Sequence, residues 1–235
     1  MYIEGLDSKY TDTGLYVIAY IDMLGVKAKI EKDIQDALGD IWFVNHFLLK
    51  EQAKNKDLII KSFSDNFLIA IRTSSDKLPE DFSSIGNVVG SLCSFCLRMH
   101  NILLRGSIVI GNLHIDENAV LGKGLVKAYK FEDEIAIFPR IIIDNDLLKY
   151  TTSDQTHRDL KNPLFCDFDS RWCLNILHFC DERMEVAFRD KLKSNLAHQL
   201  YEAKDERVVS KINWLVQYVR SYYQQNYGIT LMNLS

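Results

Sequence analysis

Two aspartates that lie at the ends of apolar strands are the residues best placed to do chemistry. Asp22 ends the apolar run over 15–24, and Asp65 lies in the turn of the following strand pair. In a β-α-β-β unit the first strand lies beside the hairpin, so the two carboxylates are expected to meet at one sheet edge. Carboxylates so close repel each other unless a cation lies between them, and such oxygen ligands suit Mg²⁺ or Mn²⁺ bound to phosphates. Spacing alone also allows each aspartate merely to turn or cap the chain.

The elements that must position these aspartates follow from the hydrophobic pattern. Apolar runs rich in β-branched and aromatic residues favour strands, and apolar spacing of three and four favours helices. The order β-α-β-β-α-β-α-β predicts an α+β fold with a ferredoxin-like or palm-type core, in which helices flank a central antiparallel-rich sheet. The predicted elements are a strand over 15–24, a helix over 26–54, a hairpin over 58–71, a helix over 82–99, a strand over 103–115, a helix over 122–132 and a strand over 140–143.

The pattern changes after Tyr150. Residues 151–163 are polar, 164–180 are strand-like, and 184–226 contain two helical stretches. We therefore expect a core domain over residues 1–150 and a strand-plus-helical extension over 151–235 that packs on the core.

Composition excludes several classes of protein. The 235 residues are 47% hydrophobic with only 11 Gly and 3 Pro, which excludes a disordered or low-complexity chain. The 28 basic residues form no dense cluster and the net charge is −4, so no nucleic-acid partner is expected. No apolar run reaches the ~20 residues of a membrane span and no signal peptide precedes the first strand, which predicts a cytoplasmic protein without membrane contact. The odd number of cysteines, five, predicts reduced thiols.

The motifs taken together resemble the catalytic domain of class III nucleotidyl cyclases. The strand that ends in Asp is matched by YIDMLG over 20–25, and the Lys-x-x-x-Asp hairpin by Lys61–Asp65. An Arg-x-Gly-x-x-x-Gly-type strand is matched by Arg105–Gly111, and a Gly-initiated helix by Gly122–Glu132, before the strand PRIIID at 139–144. The resemblance covers about residues 15–150, close to two thirds of the chain.

This resemblance implies a two-metal nucleotide cyclase that works as a homodimer, because the family's active sites lie between two subunits. Asp22 and Asp65 would be the metal ligands, with the Met23 carbonyl beside them. Two Mg²⁺ or Mn²⁺ ions would bind the triphosphate and activate the ribose 3′-hydroxyl for in-line attack on the α-phosphorus, releasing pyrophosphate. Lys61 matches the base-contacting lysine. Substrate binding is also expected of Phe63 and Ser64.

The sequence departs from the family at three positions. Ala119 stands where purine cyclases have an adenine-reading Asp, and Val126 and Lys130 stand where the family has its transition-state Asn and Arg. Valine cannot donate a hydrogen bond, and lysine lacks the planar fork of arginine. We therefore consider Lys130 and Arg140 as candidate catalytic residues and Tyr129 as a candidate substrate-binding residue. Lys123 and Lys127 are further basic residues nearby.

Within this superfamily the chain is most similar to the small bacterial pyrimidine cyclases of anti-phage (Pycsar-type) signalling. The matching segments are IDMLG, FSDNF, KAYKFE and FPRIIID. The similarity implies that UTP, with CTP as the second choice, is converted to a cyclic nucleotide that switches on a downstream effector. The alternative is a catalytically silent cyclase-like domain that binds a nucleotide or a protein partner. A polymerase-like palm ranks last, because neither a GG-D/E-E-F-type hairpin nor a basic template channel is visible.

Overall fold

A central mixed β-sheet organises the chain, whose computed structural model describes residues 13–150, 160–179 and 185–231. The strands are β1 (Gly14–Met23), β2 (Leu58–Phe63), β3 (Asn66–Arg72), β4 (Leu104–Ile115), β5 (Val120–Leu121), β6 (Ile141–Ile143), β7 (Leu164–Cys166) and β8 (Trp172–Leu174). They follow the order β2-β3-β1-β4-β6-β8-β7, and β5 pairs with β4. All neighbouring strands are antiparallel except β4 and β6, which are parallel.

Helices cover both faces of the sheet. Buried side chains of α2 and α3 belong to the main core cluster on one face, and Ala128 of α4 belongs to a smaller cluster on the other. π-Helical turns continue α3 over Cys96–His100 and α4 over Phe131–Ile135. None of the helices among the described residues is long and apolar enough to cross a membrane. The helices are α1 (Val26–Lys32), α2 (Ile34–Lys54), α3 (Leu78–Phe95), α4 (Lys123–Lys130), α5 (Asn145–Leu148), α6 (Glu185–Glu202) and α7 (Glu206–Tyr227).

The predicted α+β architecture is confirmed. At the centre of the sheet, β1 lies between β3 and β4 and is antiparallel to both. Together with the order of the elements from β1 to β4 along the chain, this pairing gives the ferredoxin-like arrangement. The single helix predicted over 26–54 is wrong, because the chain forms α1 and α2 with an extended Asp33 between them (φ −157°). Asp33 then caps α2, since its carboxylate accepts a hydrogen bond from the Gln35 amide at 2.9 Å.

The strands after residue 160 extend this sheet, and α7 packs into its core. β8 pairs with β6, and β7 pairs with β8. Leu215 and Val219 of α7 are buried in the main core cluster. The boundary that we place at residue 150 stays a prediction. Cys180 lies outside the described residues. The other four cysteines are buried free thiols: Cys93, Cys96, Cys166 and Cys173.

Two glycines allow α4 to lie against β4. A Cβ atom on Gly111 would come within 2.6 Å of the Gly124 Cα, and a Cβ atom on Gly124 would come within 2.5 Å of Ile18 Cδ1. Backbone contact this close excludes any larger residue without a shift of the helix. These glycines therefore help to set the position of α4 beside the end of β1.

Candidate active site

The sheet brings Asp22 and Asp65 together, as the sequence predicts. Asp22 is paired with Asn66 of β3, the residue that follows Asp65. The amide of Met23 donates a hydrogen bond to the Asp65 carbonyl at 3.1 Å, which ties the end of β1 to the hairpin turn. That turn is tight, since Ser64 has the left-handed φ of 59°. The pKa of Asp22 is raised mainly by burial, and the charge of Asp65 raises it further.

Arg105 bridges two carboxylates at this edge. Its Nε donates to Asp22 Oδ2 at 2.9 Å, and its Nη2 forms an ion pair with Glu132 Oε1 at 2.7 Å. The Glu132 side chain is only 4% exposed and that of Asp22 is 15% exposed. Burial raises the pKa of Glu132 to about 7, although the Arg105 charge opposes this shift. The site therefore combines one buried carboxylate, Glu132, with two half-buried ones, Asp22 and Asp65, and the guanidinium that Asp22 and Glu132 share.

Aromatic rings lie on the same face of the sheet. Tyr20 precedes Asp22 by two residues, so both side chains project to one side of β1. The ring of Tyr129, from α4, meets the Tyr20 ring edge-on with centroids 6.1 Å apart. Burial first, then the charges of Glu132 and Asp22, raise the pKa of Tyr20 to about 12, so its hydroxyl remains a proton donor at neutral pH. Tyr129 is 50% exposed, and its role in substrate binding stays a prediction.

The hairpin presents the other predicted substrate-binding residues. Register pairs Lys61 with Leu68 and Leu68 with Tyr20, so Lys61 lies two strands from Tyr20, about 10 Å across the same face. Lys61 is half-buried, whereas Phe63 and Ser64 are exposed at the end of the hairpin.

Val126 and Lys130 share an exposed face of α4. Val126 is 55% exposed, and Lys130, one helical turn later, is exposed as well. Lys127 is engaged by Asp144 and, at 3.1 Å, by Asp146. It therefore has no free charge to replace a missing donor.

Arg140 is buried and tied to the β7–β8 connection. Its guanidinium forms an ion pair with Asp167, and its Nη1 and Nη2 contact Asp169 at 3.0 and 2.5 Å. Its Nη2 also donates to the Ile135 carbonyl at 3.3 Å. Two carboxylates already compensate the charge of Arg140, so these contacts are those of a structural residue. Its catalytic role stays a prediction.

Sequence reasoning gave no role to Arg105, Glu132, Tyr20 or Lys211. Arg105 and Glu132 lie within recognised motifs, but their pairing with Asp22 depends on the register between β1 and β4. Lys211 comes from α7, and the charges of Arg105 and Asp22 both act on it. No sequence signal pointed to Lys211.

The oxygen donors at this edge fit a divalent ion shared with a substrate. Among the described residues, no group of three or more His, Cys, Asp or Glu side chains has the geometry of a metal site. Mg²⁺ is commonly held by one or two carboxylates together with substrate phosphates and water. Asp22, Asp65 and the Met23 carbonyl match that incomplete set. Arg105 contacts only Oδ2 of Asp22, which leaves Oδ1 available.

Comparison with known proteins gives structural likenesses alone. No protein-family model matches the chain, and no curated protein matches it. One similar structure is the guanylyl cyclase domain of the RhoGC fusion protein from the aquatic fungus Blastocladiella emersonii (13% identity, 69% of this chain, 95% of that chain, TM-score 0.49). Another is an adenylate/guanylate cyclase/hydrolase from Silicibacter pomeroyi (17% identity, 69% of this chain, 95% of that chain, TM-score 0.46). A third is a class III adenylyl cyclase-like ATP-binding protein from Pseudomonas aeruginosa (11% identity, 78% of this chain, 40% of that chain, TM-score 0.49). Identities and TM-scores at this level assign no activity to the chain.

Proposed function

We propose that the chain is a metal-dependent pyrimidine nucleotide cyclase that converts UTP to 3′,5′-cyclic UMP and pyrophosphate. The observation that carries the proposal is the approach of Asp22 to Asp65 at one sheet edge. A domain that only binds a partner has no physical need for two repelling carboxylates there. CTP is the second choice of substrate.

Each site residue has a physical role in this reaction. Asp22, Asp65 and the Met23 carbonyl would hold Mg²⁺ or Mn²⁺, which supplies Lewis-acid chemistry to the 3′-hydroxyl and the phosphates when bound. The Arg105 guanidinium, fixed by Asp22 and Glu132, would direct its remaining N–H groups at phosphate oxygens. Tyr20 and Tyr129 would form an aromatic wall beside the nucleotide.

Two features support a pyrimidine. Ala119 carries no carboxylate to read adenine, and the neighbouring Asp116 accepts hydrogen bonds from the amides of Asn118 and Ala119. Lys61 can only donate hydrogen bonds. Uracil offers two carbonyl oxygens, whereas cytosine has an amino donor in place of one of them. A lysine that contacts the base where uracil has a carbonyl oxygen and cytosine has an amino group therefore favours UTP over CTP.

The exposed face around the site suits a second copy of the chain. Apolar side chains are exposed on α4 and at the ends of β2 and β5, and exposed apolar patches commonly mark interfaces. A homodimer in which α4 of one subunit faces the carboxylates of the other would place Lys130 near the substrate. The product would then act as a messenger for a downstream effector in anti-phage defence. The exposed residues are Phe63, Leu121, Val126 and Tyr129.

Product analysis tests the proposal directly. The purified protein is incubated with UTP, CTP, ATP and GTP and Mn²⁺, and the products are resolved by mass spectrometry. Asp22→Asn is the control, because the amide oxygen can still accept from Arg105 while the charge that binds metal is lost. A cyclic pyrimidine nucleotide that is absent from the control supports the proposal. A cyclic purine nucleotide would contradict the assigned base.

A silent nucleotide-binding domain is the second candidate. It is favoured by Val126, which stands on the exposed face of α4 without any hydrogen-bonding group. The same incubation separates the two candidates. Metal-dependent binding of a triphosphate without any product would establish the silent domain.

A further inference from the structure

A cavity of about 450 Å³ lies between α2, α3 and the start of α6, on the face of the sheet opposite α4. Its walls are largely aromatic, and charged side chains line it as well. Cavities of this size with apolar walls and a few polar groups are typical of sites for small molecules. The rings are those of Phe47, Phe95, Phe179 and Phe188, and the charged residues are Lys50, Glu51, Lys54 and Arg98.

Packing of α2 on α3 builds the aromatic wall. The ring centroids of Phe47 and Phe95 are 6.2 Å apart. The Phe179 ring lies directly on α3 at Gly90, where a Cβ atom would come within 2.3 Å of Phe179 Cδ2. Phe95 remains 38% exposed despite these contacts. The wall therefore keeps aromatic surface open to a ligand, and such surface favours another aromatic ring.

Arg98 places a permanent positive charge deep in this cavity, since the residue is only 1% exposed. Its Nη2 donates to the Leu177 carbonyl at 3.2 Å, and its guanidinium lies 6.0 Å from the centroid of the Phe188 ring. Arginine suits the recognition of carboxylates and phosphates at buried sites, because its donors form a planar fork.

The charged residues on α2 add an excess of positive charge at the rim. Lys54 Nζ is 2.6 Å from Glu51 Oε1, so this pair is neutral as a whole. Lys50 is exposed one helical turn before Lys54, and it forms no ion pair within the part of the chain that the structure describes. An anion that enters the cavity would therefore meet an ammonium group at the rim and a guanidinium inside.

We propose that this cavity binds an aromatic organic anion. Its ring would lie against Phe47 and Phe95, and its carboxylate or phosphate would face Lys50 and Arg98. Neither Asp22 nor Asp65 lines the cavity, so the inference does not depend on the proposed function.

Two fluorescent probes that differ in one charge test the proposal. Anilinonaphthalene sulfonate is an aromatic anion, and phenylnaphthylamine has the same rings without the sulfonate. Fluorescence titration of the full chain measures the dissociation constant of each probe, and calorimetry counts the sites. We expect one site that binds the sulfonate more tightly than the neutral probe. Several equally weak sites, or equal affinity for the two probes, would overturn the inference.

Variants on two sides of the cavity assign the site. Lys50→Met should weaken binding of the sulfonate on the order of fivefold and change binding of the neutral probe by less than about twofold, because only the anion loses a partner. Phe95→Ala should weaken binding of both probes, since both use the aromatic wall. Lys32→Met removes an exposed lysine from α1 and should match the wild type. Wild-type affinity for the sulfonate in both Lys50→Met and Phe95→Ala would contradict the proposed site.

Competition separates this cavity from the proposed active site. Excess UTP with Mn²⁺ should leave the sulfonate bound, because the two carboxylates lie outside the cavity. Displacement by UTP would instead place the probe at Asp22 and Asp65 and would overturn the inference. The test needs no turnover, so it holds whether or not a cyclic product is formed.

Discussion

Arg105 donates a hydrogen bond from Nε to Asp22 Oδ2 at 2.9 Å, across the paired ends of β4 and β1. The same guanidinium is 2.7 Å from Glu132 at the end of α4. One cation therefore connects the sheet edge to the helix that covers it. We therefore expect a change of Arg105 to alter both the arrangement of the site and the free energy of unfolding.

Arg105→Met should destabilise the protein by about 2–4 kcal/mol, because it leaves two largely buried carboxylates without their cation. Urea unfolding measures the change in the free energy of unfolding. Lys54→Met removes the exposed ion pair with Glu51 and should change stability by no more than about 0.5 kcal/mol. Adding Glu132→Gln to Arg105→Met should recover part of the loss, and strict additivity of the two changes would contradict the coupling.

Glu132 should make stability depend on pH between about 4.5 and 7. Its pKa is raised to about 7 in the folded protein from a usual 4.5, so the folded state binds the proton more tightly than the unfolded state. The stability associated with this proton is present below pH 4.5 and is lost as pH rises toward 7, by on the order of 3 kcal/mol.

Unfolding of wild type and Glu132→Gln at pH 5 and pH 8 checks this expectation. The variant cannot ionise at position 132, so its stability relative to wild type should increase from pH 5 to pH 8. Asp22 also has a raised pKa, and its charge raises that of Glu132, so the comparison reports the titration of this coupled pair of carboxylates. A stability difference that stays constant with pH would rule out the assigned titration.

Asp65→Ala should abolish metal-dependent turnover and metal-dependent triphosphate binding while the protein stays folded. Asp65 is partly exposed in a turn, so its side chain contributes little to the core. Circular dichroism and calorimetry with Mn²⁺ and UTP measure fold and binding. The control is Asp57→Ala, an exposed carboxylate at the opposite end of β2, which should leave both unchanged. Full activity in Asp65→Ala would remove the metal assignment.

Local sequence features predict the strands well, because apolar runs and the Ser64-Asp65 turn are independent of distant residues. They also predict that Asp22 and Asp65 meet, since β1 must lie beside the hairpin. The break at Asp33 was missed because apolar side chains continue on both sides of it. Arg105 and Asp22 are 83 residues apart, so their contact depends on strand register.

Lys61→Ala should mainly reduce discrimination among bases. Lys61 lies on β2, about 10 Å across the sheet from Tyr20, and so lies to one side of the carboxylates that would hold the phosphates. If its ammonium donates to a uracil carbonyl, removing it should lower kcat/KM for UTP on the order of tenfold and change the rates with the other triphosphates much less. The measurement is kcat/KM for all four triphosphates, with Lys56→Ala as an exposed control. Equal losses for all four would show that Lys61 serves the phosphates, and no loss would remove it from the site.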